Sequence, residues 1–228
     1  MSDTSITIAD HYDGDPARRE VQHFTASGVD VYKTSVGEMS NNVYLLVHGG
    51  EGLLIDAADE ADHLLALIDA VQCDVRTVVT THSHGDHVRA LPEVLEATGA
   101  RHLVSTLDSP DIAARHDRLL DQGDIVTFGG VHPVDLTAFI LRGHTRGGVG
   151  LALDAGNEPA HLFVGDSLFP GGVGATKSGA QFSSLIDDVE ERIFGAYGDD
   201  AVVHPGHGAD TTLGAERPHL AEWRERGW

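Results

Sequence analysis

VDVYKTSV (29–36) and NVYLLV (42–47) are apolar-rich, β-branched runs that read as strands, the second followed by the turn HGGEG. GLLID (52–56) is a shorter apolar run that reads as a buried strand ending at Asp56. In EADHLLALIDAV (60–71) the apolar positions recur at helical spacing, which predicts an amphipathic helix. RTVVTT (76–81) is again a β-branched strand and runs directly into THSHGDH (81–87). Downstream the pattern predicts a helix over 90–100 with Gly99 near its end, a strand over 102–106 and a helix over 109–120. Strands are expected over 124–128, 132–141, 149–154 and 161–166. FSSLIDDVEERIFGAY (182–197) carries apolar residues at 185, 189, 193 and 194, an amphipathic helix with Ser183 or Ser184 as its N-cap. AVVHPGHG (201–208) is a strand breaking into a Gly/Pro turn, and 213–228 reads as a helical tail docked by Leu220 and Trp223. Residues 1–27 read as a polar arm. Many strands with interspersed helices, and no fixed-period repeat, predict one α/β layered domain over 1–228.

The informative polar residues sit where these strands stop. RTVVTT leads to His82, His84, Asp86 and His87; TAFILRG leads to His144; HLFVG leads to Asp166; AVVHPG leads to His207. Glycines flank nearly all of them, as expected where backbone turns sharply or approaches closely. Loops at strand ends of a rigid scaffold are a common place to build a site. A solvated histidine-rich loop is the plain alternative for THSHGDH, in a chain with 15 histidines. Three further ligand types at equivalent strand ends weigh against it. Imidazole and carboxylate suit zinc, iron, manganese or nickel, and seven such groups are too many for one tetrahedral ion but suit two that share a carboxylate.

Composition narrows the chemistry. Cys73 is the only cysteine, so an internal disulfide and a thiolate-rich zinc site are both excluded. Acidic residues number 36 against 15 basic ones, a formal charge of −21, with lysine only at positions 33 and 177. That balance argues against nucleic acid as a partner, because phosphate recognition needs Lys and Arg. Hydrophobic residues make up 41% of the chain, enough for a core. No apolar run approaches the ~20 residues of a membrane helix, and the acidic, polar start does not read as a signal peptide. A soluble cytoplasmic protein acting on a small molecule is the expectation.

TxHxHxDH, GHTRGG, GDSLF and PGHG, in that order, resemble the motifs of the metallo-β-lactamase superfamily, and within it the short glyoxalase II-like (hydroxyacylglutathione hydrolase) branch. The resemblance covers nearly the whole chain. It implies an αββα sandwich, two mixed β-sheets with helices on the outer faces and metals at the sheet ends. It implies two divalent metal ions, zinc foremost with iron or manganese as alternatives. His82, His84 and His144 would bind the first ion, Asp86, His87 and His207 the second, with Asp166 bridging. The implied reaction is attack of a metal-bridging hydroxide on the carbonyl of a small thioester, ester or lactone, with Asp86 also orienting the nucleophile.

The chain departs from the family pattern at two places. Arg146 stands where the family often has proline, and Ala175 where many members carry a basic residue. Arg146 and Lys177 are therefore candidates for binding a substrate carboxylate. His204 is a further candidate, either standing behind the metal ligands or facing substrate, and Asp56 is one for accepting hydrogen bonds behind the metal ligands. Asn42 matches a family asparagine and is read as structural. Two other functions stay open: a persulfide dioxygenase-like oxidoreductase with one iron, and a non-catalytic binding protein on the same fold. The complete second ligand set, Asp86, His87 and His207, weighs against the former.

Overall fold

The computed structural model of the chain describes residues 6–156 and 158–227. Among these, the first half builds one sheet from β1 (Val21–Ala26), β2 (Val29–Val36), β3 (Asn41–His48), β4 (Glu51–Ile55), β5 (Asp74–Thr80), β6 (Arg101–Ser105) and β7 (Arg118–Leu120), hydrogen-bonded in that order. β1 to β4 are antiparallel neighbours, and β4 to β7 run parallel. A parallel step needs a crossover. Helix α1 (Ala61–Val71) supplies it between β4 and β5, and α2 (Leu91–Thr98) between β5 and β6.

The second sheet is laid out around β8 (Ile125–Phe128), β9 (Val134–Leu141), β10 (Gly148–Leu153) and β11 (His161–Gly165), which are antiparallel neighbours in sequence order. A small hairpin, β12 (Leu168–Phe169) and β13 (Gly172–Val173), and helix α3 (Gly179–Val189) follow. β14 (Val202–Pro205) then returns parallel to β11, and β15 (Thr211–Thr212) pairs with its far side. Two short helices, α4 (Leu213–Glu216) and α5 (Leu220–Arg226), close the chain.

Unbroken apolar runs in the strands have a simple cause: both faces of both sheets are covered. Along β3, Tyr44 and Leu46 face the second sheet and meet Leu136, Ile140, Leu151 and Phe163. The alternating residues Val43 and Leu45 face outward onto Leu64 and Leu67 of α1 and Leu91 and Val94 of α2. β9 repeats the pattern, with Ala138 and Ile140 inward and Phe139 and Leu141 under Leu185, Ile186 and Val189 of α3. The layers are therefore αββα, two sheets with helices outside, as the motifs implied.

Four local expectations are corrected or refined. Residues 109–120 do not form a helix: Ser109–Asp111 is a single tight turn and Arg118–Leu120 is strand β7. Tertiary contacts override the helical spacing there. β7 extends the sheet beside β6 with Leu120 fully buried, and Asp117 accepts from the His102 N–H (2.9 Å). The helix expected over 182–197 starts earlier, at Gly179, capped by Ser178, whose Oγ accepts from Gln181 N (3.3 Å). It ends in a wider turn over Glu190–Phe194, closed by Gly195 N–H donating to Glu190 O (2.7 Å). Its apolar stripe is as read, with Leu185, Val189, Ile193 and Phe194 all buried. The polar arm over 1–27 contains strand β1; its residues 1–5 lie outside the described residues. The tail over 213–228 is two helices interrupted by a tight turn at Arg217–His219, where Pro218 sits, and its last residue, Trp228, is outside the described set. No helix among the described residues is long and apolar enough to cross a membrane.

The two sheets bring their strand ends to one edge. Val149 N–H donates to Thr81 O beyond β5 (2.7 Å), and Gly206 N–H beyond β14 donates to Gly165 O at the end of β11 (2.8 Å). The loops after β5, β9, β11 and β14 therefore open onto the same space.

The tail is part of the core: Trp223 is 1% exposed and meets Phe194 edge-on, ring centroids 6.4 Å apart. Trp223→Ala is expected to cost ~3–5 kcal/mol, lowering Tm by roughly 10 °C for a chain of this size. Thermal unfolding measures this, and a drop of under about 3 °C would contradict a docked tail.

Candidate metal centre

His82 is the second residue past β5 and points inward at 2% exposure; His87 is fully buried at the end of a tight turn, Gly85–His87. His144 follows the corner after β9, Asp166 follows β11, and His207 follows β14. The ligand atoms of His82, His84, His144 and Asp166 all lie within 4.8 Å of one another, and those of Asp86, His87 and His207 form a second such group.

Asp166 lies between the groups. Its Oδ2 is 3.5 Å from His144 Nε2, 3.9 Å from His82 Nε2 and 3.3 Å from His207 Nε2, while Oδ1 is 3.5 Å from His87 Nε2. Within the second group Asp86 Oδ2 is 3.7 Å from His87 Nε2 and 3.5 Å from His207 Nε2. Two donors bound ~2.1 Å from one tetrahedral ion stand roughly 3.4 Å apart. The observed separations have that spacing. Three of the converging atoms, His82 Nε2, His144 Nε2 and Asp166 Oδ1, are buried without a hydrogen-bond partner. Buried polar atoms left so are rare and costly unless something occupies the space between them. The donor set fits metal.

Each of four rings is aimed by a bond on its other nitrogen, assigned here as donor from its surroundings. His87 Nδ1 meets Asp56 Oδ2 (2.8 Å), His144 Nδ1 meets Ala175 O (2.8 Å), and His207 Nδ1 meets Met39 O (2.9 Å). His82 Nδ1 meets Thr81 Oγ1 (3.0 Å), whose own proton goes to Asp56 Oδ2 (2.7 Å). The Nε2 atoms of these four rings then face the centre. Asp56 also accepts from Thr81 N–H (2.7 Å), so its carboxylate ties the end of β4 to the loop that carries His82 and His87.

The electrostatics fall into two halves. Burial, and then the surrounding imidazoles, push His82 well below its ordinary pKa, and His84 is lowered by burial and His144. Burial opposes charge on His207 too, but the Asp166 carboxylate outweighs it and raises the ring to about 9. His87 is raised against its burial by Asp56. Asp86 stays below the usual carboxylate range despite burial because Asn41 donates to it. His82 and His84 are thus held neutral and ready to coordinate, while a cation entering beside His87 and His207 displaces a proton.

A family model for the metallo-β-lactamase superfamily matches residues 36–216. The chain belongs to the metallo-β-lactamase superfamily. It is 32% identical to a hydroxyacylglutathione hydrolase of Polaromonas sp. over 158 residues, 69% of this chain and 57% of that protein. It is 28% identical to the hydroxyacylglutathione hydrolase GloC of Haemophilus influenzae, over 72% of this chain and 83% of that one. Among solved structures, a B3 metallo-β-lactamase, BLEG-1, superposes with a TM-score of 0.73 at 23% identity, covering 84% of this chain and 98% of that one. The protein TTHA1623 in a di-iron-bound form gives 0.66 at 29% identity, covering 81% and 96%.

Around this superfamily centre the candidate substrate contacts divide. A cavity of about 240 Å³ opens beside the first group, lined by His84, His144, Asp111, Arg146, Lys177 and Gln181 among others. Arg146 and Lys177 therefore do reach the site's rim, and Arg146 Nε sits 3.2 Å from Asp111 Oδ2. His204 does not face the cavity. It lies on β14 rather than beyond it, is 1% exposed, and both ring nitrogens are engaged, with Asp210 Oδ2 (2.9 Å) and His161 Nδ1 (2.9 Å). Asn42 holds backbone, donating to Pro205 O (2.9 Å) and Gly208 O (2.9 Å). The residue sequence reading missed is its neighbour Asn41, whose Nδ2 donates to Asp86 Oδ2 (2.8 Å). No motif flags it, because the partners are 45 positions apart.

Gly206 packs directly against the superfamily centre. A Cβ there would stand 2.1 Å from Asp166 Oδ1 and 3.0 Å from His87 Cε1. Gly206→Ala is expected to displace Asp166 and lower bound metal by at least one ion per chain with the fold intact. Elemental analysis alongside circular dichroism tests this; wild-type metal content in the variant would contradict the packing.

Proposed function

We infer that the chain is a metal-dependent hydrolase opening the acyl bond of a small thioester, or of a related ester or lactone. The observation that carries this reading is the carboxylate of Asp166 lying between two complete ligand groups. The names of the Polaromonas and Haemophilus relatives point the same way, although this chain spans only 57% of the former's length. Two divalent ions are proposed, with His82, His84 and His144 on the first, Asp86, His87 and His207 on the second, and Asp166 on both. Zinc is the first expectation, and the di-iron relative supports iron as the alternative. When bound, such a pair supplies an acidified water as nucleophile and polarises the carbonyl oxygen.

The chain's own residues do the positioning. Asp86, held by Asn41, is proposed to orient the nucleophile as well as to ligate. The cavity beside His84 and His144 takes the acyl group, and its rim cations Arg146 and Lys177 are proposed to hold a substrate carboxylate. Ala175 lends only its backbone carbonyl, to His144, so the site lacks a basic side chain at that position. A complete second group speaks against a single-iron oxygenase. A readily expelled thiolate leaving group makes thioesters the first choice of substrate.

Elemental analysis of the purified protein, with a panel of thioester, lactone, β-lactam and persulfide substrates, tests the reading. Two metals per chain with thioester turnover are expected. One iron with persulfide-dependent oxygen uptake would overturn it. Asp166→Ala should reduce occupancy at both positions, and retention of both metals would refute the shared-ligand assignment.

A further inference from the structure

Lys33 is one of two lysines in the chain, and it is 0% exposed on β2. A buried ammonium is costly unless all its protons are taken. Here they are: Nζ donates to Gly14 O (2.5 Å), Gly208 O (2.9 Å) and Asp210 Oδ1 (2.7 Å). Asp210 in turn accepts at Oδ2 from His204 Nδ1 (2.9 Å) and from the Tyr12 hydroxyl. His204 continues the chain to His161, and the two rings stack between Phe24 and Phe163. None of these groups lies among the converging ligand atoms.

Two of the three acceptors belong to the loop that carries His207. Before the histidine, the loop is held by Asn42 N–H on Gly206 O (2.7 Å) and by the Tyr44 hydroxyl on Pro205 O (2.7 Å). After it, Gly208 O accepts from both Asn42 Nδ2 (2.9 Å) and Lys33, and Lys33 also ties Gly208 to Asp210 and to Gly14, in the segment preceding β1. A chain with only two lysines among its 15 basic residues uses one of them where three acceptors converge, and a compact ammonium with three protons suits that geometry better than a planar fork.

Resting on the two-metal reading above, we propose that Lys33, through Gly208 and Asp210, is a positioning residue for His207, so that it governs the second metal and not the first. The N-terminal segment at Tyr12 and Gly14 is fastened to the same point, which makes it part of the frame of the second ligand group.

The test is titration of metal-free protein with cobalt(II), read by visible absorption and equilibrium dialysis, on wild type, Lys33→Met, the double variant Lys33→Met/Asp210→Asn, and His207→Ala as the reference for loss of the second ion. Lys33→Met should weaken the second cobalt at least tenfold, within the ~10–100-fold range for outer partners of metal ligands, and leave the first unchanged. The double variant removes both buried charges and should regain much of the Tm lost in the single one. Its second cobalt should stay weak, because the links to Gly208 and Gly14 are still missing. Wild-type second binding in Lys33→Met overturns the proposal, and so does recovery of second binding together with Tm in the double variant, which would mark a role in stability alone. Fewer than two ions on the wild type would overturn the two-metal reading itself and this inference with it.

Discussion

The carboxylate of Asp56 is the joint on which the site turns. It is 1% exposed, and its two oxygens accept from Thr81 N–H, Thr81 Oγ1 and His87 Nδ1. Those bonds fasten the end of β4 to the end of β5 at the place where the ligand loop leaves the sheet. Asp56 itself has a φ of 61°, a left-handed backbone conformation that aspartate tolerates better than most residues. Fixing Thr81 fixes the His82 ring through Thr81 Oγ1, and fixing His87 Nδ1 directs its Nε2 to the second group. One buried anion therefore orients a ring in each half of the centre. The parallel β4–α1–β5 crossover is what brings that anion beside the loop.

The fold was legible wherever apolar periodicity and burial agree. β3, β4, β5 and β9 are covered on both faces, so their apolar runs are unbroken and read as strands. α1 keeps one face in water and reads as amphipathic. Where the chain's course is set by a partner element, periodicity misleads. Residues 109–120 have helical spacing, yet the pairing of 118–120 with β6 and the buried Leu120 settle them as an edge strand after a turn. β1 was hidden for the opposite reason: VQHFTA mixes polar and apolar residues as an edge strand does, and only its pairing with β2 defines it. The α3 start escaped because Ser178 lies ahead of the apolar stripe, and a cap is recognised by where the backbone turns, not by where the stripe begins.

The site was more legible than the fold around it, because metal ligands must be particular residue types and strand ends are visible as pattern breaks. All seven candidate ligands fall into the two groups the geometry assembles. Of the groups that hold these side chains, only Asp56 was named from the sequence. Asn41 reaches Asp86 across 45 positions, and Tyr12 reaches Asp210 across 198. His204 shows the limit most clearly. Its nearness to His207 in sequence suggested a shared direction, but β14 is a regular strand up to Pro205 and its alternation turns His204 into the layer between the sheets, against Tyr44 and Phe163.

The strong acidity bears on the site through distance. A formal charge of −21 opposes the approach of any anion. At physiological salt that field is screened beyond about 8 Å, so what a substrate meets at the mouth is decided by the groups lining it. There the rim carries Arg146, Lys177 and one opposing carboxylate, Asp111, against a protein that elsewhere has acids well in excess. Of the two lysines, Lys33 is spent inside the fold, which leaves Lys177 the only one at the cavity. A substrate with a carboxylate would therefore exchange a repulsive exterior for a locally cationic edge as it entered. The charge pattern thus favours capture at the rim over long-range steering, and under the proposed function discrimination among substrates would fall to the few side chains around His84 and His144.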